Sequence, residues 1–312
     1  MSALTVNSKF NQLRFAQQKV VEIVESTSKS GVFVLPPGAG KTACILKSSL
    51  REPSLILCNN VAVARQIRRE FLKETNLTPN QVACSPSEEL NASTIVLICT
   101  YQRLAQTEDK MSACTLSIMS SIRTNCWRLL ILDEVHKTKA MTFSALIRNI
   151  RPYFKRLLGF TGTIVGNTLD GPLGAEANIL YRFAWKKQAE DGSGAEMRFF
   201  RVDCQSSVKF DLAIDTLKNG AFTSQEAINI QKIIPEKLEA LAIITKTFGL
   251  LGRTGLVFCD KLFTLKVCSR LLGANWQCVS SETALSQRES YYKALSEGRL
   301  SGIIATSVLE TG

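Results

Sequence analysis

The chain has 312 residues, of which 45% are hydrophobic, enough for a sizeable core and for more than one domain. Its net charge of +11 favours a polyanionic partner, nucleic acid first. No apolar run is long enough to span a membrane, Met1 to Phe10 has no apolar core of a signal peptide, and ten cysteines without a Cys-x-x-Cys pair beside one histidine argue for a reducing compartment and against a zinc site. In chain order, a helical pattern from Lys19 to Val24 follows Arg14-Phe15-Ala16-Gln17. Next comes Val32-Phe33-Val34-Leu35-Pro36-Pro37-Gly38-Ala39-Gly40-Lys41-Thr42, a β-branched and aromatic strand, a glycine-bearing loop and the start of a helix running from Ala43 to Leu50.

That order is what a phosphate-binding loop needs. Pro37, Gly38, Ala39 and Gly40 form the loop, and its glycines let backbone N–H groups turn inward around phosphate oxygens. Lys41 brings a point charge to the outer phosphates, Thr42 offers a hydroxyl to Mg²⁺, and the helix N-terminus adds its positive end. The strict pattern has glycine where Leu35 stands.

Further apolar runs recur at Ser54–Cys58, Thr94–Cys99, Leu129–Leu132 and Leu157–Phe160. Continuous rather than alternating hydrophobicity marks strands buried on both faces, as in a parallel sheet under helices. A polar cluster ends each run: Asn59-Asn60, Thr100-Tyr101-Gln102, Asp133-Glu134-Val135-His136 and Thr161-Gly162-Thr163. In open α/β sheets ligands bind at that edge, so these clusters and the loop imply one shared site. Asp133 is placed to hold the metal ion that bridges the phosphates, and Glu134 to orient and deprotonate a water. From Asp170 to Pro235 the rhythm breaks; it resumes with a helix from Pro235 to Phe248, a strand at Gly255–Asp260, helices at Lys261–Leu272 and Ser286–Leu295, and a strand at Gly302–Thr306.

Gly38-Ala39-Gly40-Lys41-Thr42, Asp133-Glu134-Val135-His136 and Thr161-Gly162-Thr163 resemble motifs I, II and III of superfamily 2 helicases. Several features are similar to the XPB family within them: the Leu-Pro-Pro-Gly-Ala-Gly-Lys-Thr loop, the Asp-Glu-Val-His box, Arg14-Phe15-Ala16-Gln17 in place of Arg-Pro-Tyr-Gln, and Gly171-Pro172 with Glu176-Ala177-Asn178. The resemblance runs from about Gln12 to Gly312. It implies an α/β fold with a RecA-like P-loop NTPase lobe on a parallel sheet, an insert, and a partial second RecA-like lobe. The expected domains are a helicase ATP-binding lobe over 1–170, a junction with a thumb-like insert over 171–235, and a helicase C-terminal lobe over 236–312.

The resemblance also implies ATP and Mg²⁺ as cofactors, with Arg14 and Gln17 at the nucleotide, Gln17 reading adenine, and His136, Thr161 and Thr163 coupling nucleotide state to neighbouring loops. Asn60, Arg65, Gln66, Thr100 and Tyr101 are the expected nucleic-acid contacts. Arg65, Arg68, Arg69 and Lys73 share a helix face that would neutralise phosphates, with Arg148, Arg151, Lys155 and Arg156 as a second basic stretch. Expected activity is ATP-driven 3′–5′ DNA translocation or duplex opening in transcription initiation and nucleotide-excision repair. The setting would be nuclear, beside other subunits of a TFIIH-like complex and away from membranes. Two alternatives stand: a non-catalytic nucleotide-binding paralogue acting as a DNA- or protein-binding module, and a viral or restriction-type translocase of the same superfamily. Two departures accompany the likeness: Gly166-Asn167-Thr168 stands where the family has Arg-Glu-Asp, and the chain reaches Gly312 inside motif V, so poor turnover is expected without motif VI and its arginine finger.

Overall fold

The first four apolar strands predicted after the phosphate loop are present, and they lie side by side. In the computed structural model, which describes residues 12–85, 90–124, 126–163, 173, 178–192, 241–246, 253–259 and 262–306, the chain divides into two units, Met1–Arg198 and Phe199–Gly312. In the first, β1 (Gly31–Val34), β2 (Ser54–Cys58), β4 (Val96–Thr100), β5 (Leu129–Asp133) and β6 (Arg156–Thr161) are buried at every position. Two short edge strands complete the sheet. They are β3 (Val82–Cys84) and β7 (Ile179–Arg182), neither legible as an apolar run. The order is β3-β4-β2-β5-β6-β1-β7, every pairing parallel.

Burial on both faces explains the continuous runs. Phe33, Ile56, Ile98, Ile131 and Phe160 point to one core, with Val20 of α1 (Phe15–Ser26), Ile45 of α2 (Lys41–Ser49) and Ile67 of α3 (Val61–Glu74). Val34, Leu57, Leu97, Leu132 and Leu157 point to the other, with Leu104 of α4 (Tyr101–Leu104), Ile118 of α5 (Ala113–Arg123) and Ile147 of α6 (Met141–Ile150). Each such side chain contributes about 1.5–3 kcal/mol of transfer free energy, and Phe33 and Phe160 stack with centroids 5.2 Å apart. Cys58 and Cys99 are fully buried at the ends of their strands, and burial pushes the Cys99 thiol up to about 12.

Part of the second basic stretch is structural. Arg156 is 9% exposed, and its guanidinium donates to the Lys29 carbonyl at 3.0 Å and the Val24 carbonyl at 2.9 Å. It ties the end of α1 to the start of β6, and burial lowers its pKa. Arg151 likewise donates to the Phe154 carbonyl.

The second unit holds a three-stranded parallel sheet in the order β8-β10-β9: β8 (Gly255–Phe258), β9 (Trp276–Val279) and β10 (Gly302–Ala305). Helices Leu262–Leu272 and Leu285–Ser296 connect these strands, and residues 241–246 are helical. The Trp276 ring occupies the space beside Gly302, where a Cβ would come within 2.1 Å of it. No helix among the described residues is long and apolar enough to cross a membrane. The remainder of the segment read as an insert, with Gly166-Asn167-Thr168, Gly171-Pro172, Glu176-Ala177 and the motif V residues after Thr306, lies outside the described residues.

Candidate nucleotide-binding site

Because all seven strands are parallel, their carboxyl ends share one edge. Register fixes the neighbours along it: Val34 of β1 faces Thr161 of β6, and Asp133 of β5 faces Phe160. The phosphate loop, the acidic pair and the Thr-Gly-Thr turn therefore leave three adjacent strands, spaced about 4.8 Å apart.

The loop's form follows from its glycines. Gly38 has φ 79°, and Gly40, which precedes α2, has φ 84°. Both lie in the left-handed region that disfavours side chains. A Cβ on Gly40 would lie 2.0 Å from Gln17 Nε2, so a side chain there would push Gln17 off the loop. Leu35 donates its N–H to the Thr161 carbonyl at 2.8 Å, continuing the β1–β6 ladder into the loop.

Gln17 serves two elements. Its Oε1 accepts the Arg14 N–H at 2.9 Å, closing the first turn of α1, and its Nε2 donates to the Ala39 carbonyl at 3.2 Å. Arg14 donates from Nη1 to the Gly38 carbonyl at 2.8 Å. The two residues expected at the nucleotide thus hold the backbone of the phosphate loop. Sequence reasoning missed a third holder. Gln188 of α7 (Trp185–Glu190) donates from Nε2 to the Pro37 carbonyl at 3.1 Å. It lies 151 residues from its acceptor, in a stretch read as a junction, so no spacing signal pointed to it.

At the next strand tips, Lys41 Nζ meets Glu134 Oε1 at 2.5 Å, and the other Glu134 oxygen lies 3.4 Å from His136 Nδ1. His136 Nδ1 is 2.9 Å from Thr161 Oγ1. The Thr161 hydroxyl spends its proton on the Thr163 carbonyl at 2.9 Å and accepts the Thr163 N–H at 3.2 Å. A hydroxyl has one proton, so His136 carries its own on Nδ1 and donates to Thr161. Lys41, Glu134, His136, Thr161 and Thr163 form one connected chain across three strand tips. Burial lowers the His136 pKa, outweighing the attraction of Glu134.

Asp133 is 9% exposed, and burial, reinforced by the neighbouring Glu134 charge, pushes its carboxyl up to about 6. Lys41 opposes that shift without cancelling it. This strand tip is short of positive charge, the condition a divalent cation relieves. Thr42 stands half-buried in the first turn of α2, beside Lys41. Lys41, Thr42, Asp133 and Glu134 fit a nucleotide phosphate chain with its metal ion.

The residues expected to meet nucleic acid are placed differently from one another. Arg65 and Gln66 are exposed on α3. Asn60 is the N-cap of that helix, its Oδ1 accepting the Val63 N–H at 2.9 Å. Arg68 departs from the expected basic face and donates to the Val82 carbonyl at 3.2 Å, joining α3 to β3. Thr100 is 6% exposed. Tyr101 differs most from expectation. Its ring is fully buried between the sheet and α6, stacked on Phe143, so its side chain is not offered to a strand. Its hydroxyl donates to the Asp133 carbonyl at 2.9 Å, bracing the acidic tip from within.

The family described as type III restriction enzyme, res subunit, matches residues 11–166, half of the chain. The chain belongs to that family. Curated relatives make the same link to XPB that the motifs suggested. The chain is similar to the general transcription and DNA repair factor IIH helicase/translocase subunit XPB of Schizosaccharomyces pombe, 27% identical over 84% of this chain and 33% of the relative. The XPB/SSL2 subunit of Saccharomyces cerevisiae is 27% identical over 84% of this chain and 31% of the relative. The chain thus spans about a third of the length of these relatives. Among solved structures, the fold is similar to the DUF1998 helicase MrfA bound to DNA, with TM-score 0.65 and 14% identity over 98% of this chain and 42% of that one. It is also similar to the Pyrococcus furiosus Hef helicase domain, with TM-score 0.56 and 13% identity over 97% of this chain and 88% of that one. These structural likenesses establish the RecA-like helicase fold of a family member whose motifs imply nucleotide use.

Proposed function

We propose that the chain is the core of an ATP-driven DNA translocase or helicase of the XPB type. The observation that carries this reading is the connected chain from Lys41 through Glu134 and His136 to Thr161 and Thr163. Such a chain joins the phosphate-binding residue to the strand tips that would report nucleotide state. In this reading Thr42 and Asp133 hold Mg²⁺, which would screen phosphate charge. Lys41 leaves Glu134 for the outer phosphates, and Glu134, so released, orients and deprotonates the attacking water. Residues 1–170 and 236–312 are the two helicase lobes and 171–235 the junction with its thumb-like insert, with β7 at the junction's start completing the first sheet. Arg65 and Gln66 present the DNA-facing side of α3. The names of the relatives support roles in transcription and DNA repair and TFIIH-like partners, and a nuclear setting goes with that reading.

The family match supports a second reading, a restriction-type translocase of the same superfamily. Movement along duplex DNA fits both readings; 3′–5′ strand separation would favour the XPB type. The nucleotide reading itself is tested by titrating a fluorescent ATP analogue. Lys41→Ala should weaken binding roughly ten- to a hundredfold, since a charge-assisted phosphate contact is worth ~1.5–3 kcal/mol. Equal affinity in the wild type and the variant would sink it.

A further inference from the structure

The phosphate loop is held from outside by three side chains at three consecutive carbonyls. Gln188 takes Pro37, Arg14 takes Gly38 and Gln17 takes Ala39. A trans peptide unit points its carbonyl oxygen and the next residue's N–H in opposite directions. Drawing the Pro37 carbonyl outward therefore turns the Gly38 N–H toward the inside of the loop. Gln17 does the same for the Gly40 N–H. Arg14 acts on the unit between them, whose N–H, that of Ala39, closes the turn on the Pro36 carbonyl at 3.1 Å.

We infer that Gln188 is a positioning residue for phosphate binding, acting through the Pro37–Gly38 peptide. This inference rests on the nucleotide-binding reading above. Among the described side chains of α7, Gln188 is the one that is buried, at 4% exposed, while Trp185, Lys186 and Lys187 face solvent. A short helix that only packed against the protein would bury an apolar residue there, because a buried amide costs free energy unless it is hydrogen-bonded. It packs directly on the loop: a Cβ on Gly38 would lie in van der Waals contact with Gln188 Nε2, at 3.4 Å. In chain order α7 is the last described element of the first unit, which ends at Arg198. The chain leaving that unit is thereby fastened to the loop.

The test is competition of ADP and of adenosine against a fluorescent ADP on the full chain, with wild type, Gln188→Leu, Gln188→Met and Lys41→Ala. Leu fills the site without a donor. Met keeps the unbranched length of Gln, adds no charge and has no donor, so it tests the contact where the branched Leu does not fit. Both should weaken ADP about tenfold, the loss expected when the Gly38 N–H is no longer aimed at a phosphate oxygen, and leave adenosine at its wild-type affinity. If ADP and adenosine weaken together, Gln188 serves the fold and the inference is overturned. If Lys41→Ala weakens ADP while a folded Gln188 variant does not, the inference fails and the nucleotide site stands. If Lys41→Ala also binds as wild type does, the nucleotide reading itself fails.

Discussion

Glu134 adopts φ 50° and ψ 53°, the one described non-glycine residue with positive φ. A left-handed backbone costs a side-chain-bearing residue on the order of 1–3 kcal/mol and persists where surrounding contacts over-determine it. Here Lys41 holds one of its carboxylate oxygens, and the other lies 3.4 Å from His136 Nδ1. The first contact makes Glu134 a resting partner for Lys41, one that phosphate must displace. Two effects of Glu134→Gln follow and separate cleanly. In a version that carries motif VI and its arginine, removing the proposed base should lower DNA-stimulated phosphate release ~10²–10⁴-fold. Removing the charge that holds Lys41 should leave binding of a non-hydrolysable ATP analogue at or above the wild-type affinity. Turnover within tenfold of wild type would show that another group takes the proton.

The element that most separates structural from surface roles is α3. Its N-cap Asn60 satisfies the Val63 N–H, and Arg68 reaches back to β3, while Arg65, Gln66 and Arg69 face outward. Asn60→Ala removes a cap worth ~1 kcal/mol, so melting should fall by about 2–4 °C in a unit of this size. Arg65→Ala breaks no such contact and should leave melting unchanged while weakening DNA binding. Thermal melting and DNA titration of both variants check this. An Asn60→Ala variant with unchanged melting but weaker DNA binding would return Asn60 to the nucleic-acid surface.

For the molecule as a whole the governing quantity is the net charge of +11. Arg156 is buried in hydrogen bonds to backbone carbonyls, so the part available to the proposed DNA partner is smaller than the count of basic residues suggests. Binding through the outward residues should be backbone-driven. The log of affinity should fall against the log of salt by ~0.7–0.9 per phosphate contact, with the same slope for unrelated DNA sequences. Fluorescence anisotropy on two duplexes of different sequence across a salt series measures both. A flat salt response would show that the basic surface does not carry the binding.

Local pattern was enough wherever the physics is local. β1, β2, β4, β5 and β6 were legible because two-sided burial demands unbroken apolar runs, and the loop was legible because a left-handed turn into a helix demands glycines at 38 and 40. The acidic pair followed from its place at a strand end. β3, of three residues, and β7, half-exposed at the sheet edge, left no comparable run. Nor does residue type tell which way a side chain turns. Tyr101 follows a strand as a surface residue would, yet its ring enters the core and its hydroxyl braces Asp133. Gln188 and Pro37 meet only because β7 pairs with β1 and carries α7 to the loop. Partners like these are decided by which strands become neighbours, and strand neighbours far apart in the chain are chosen by packing of the whole sheet, which no short spacing records.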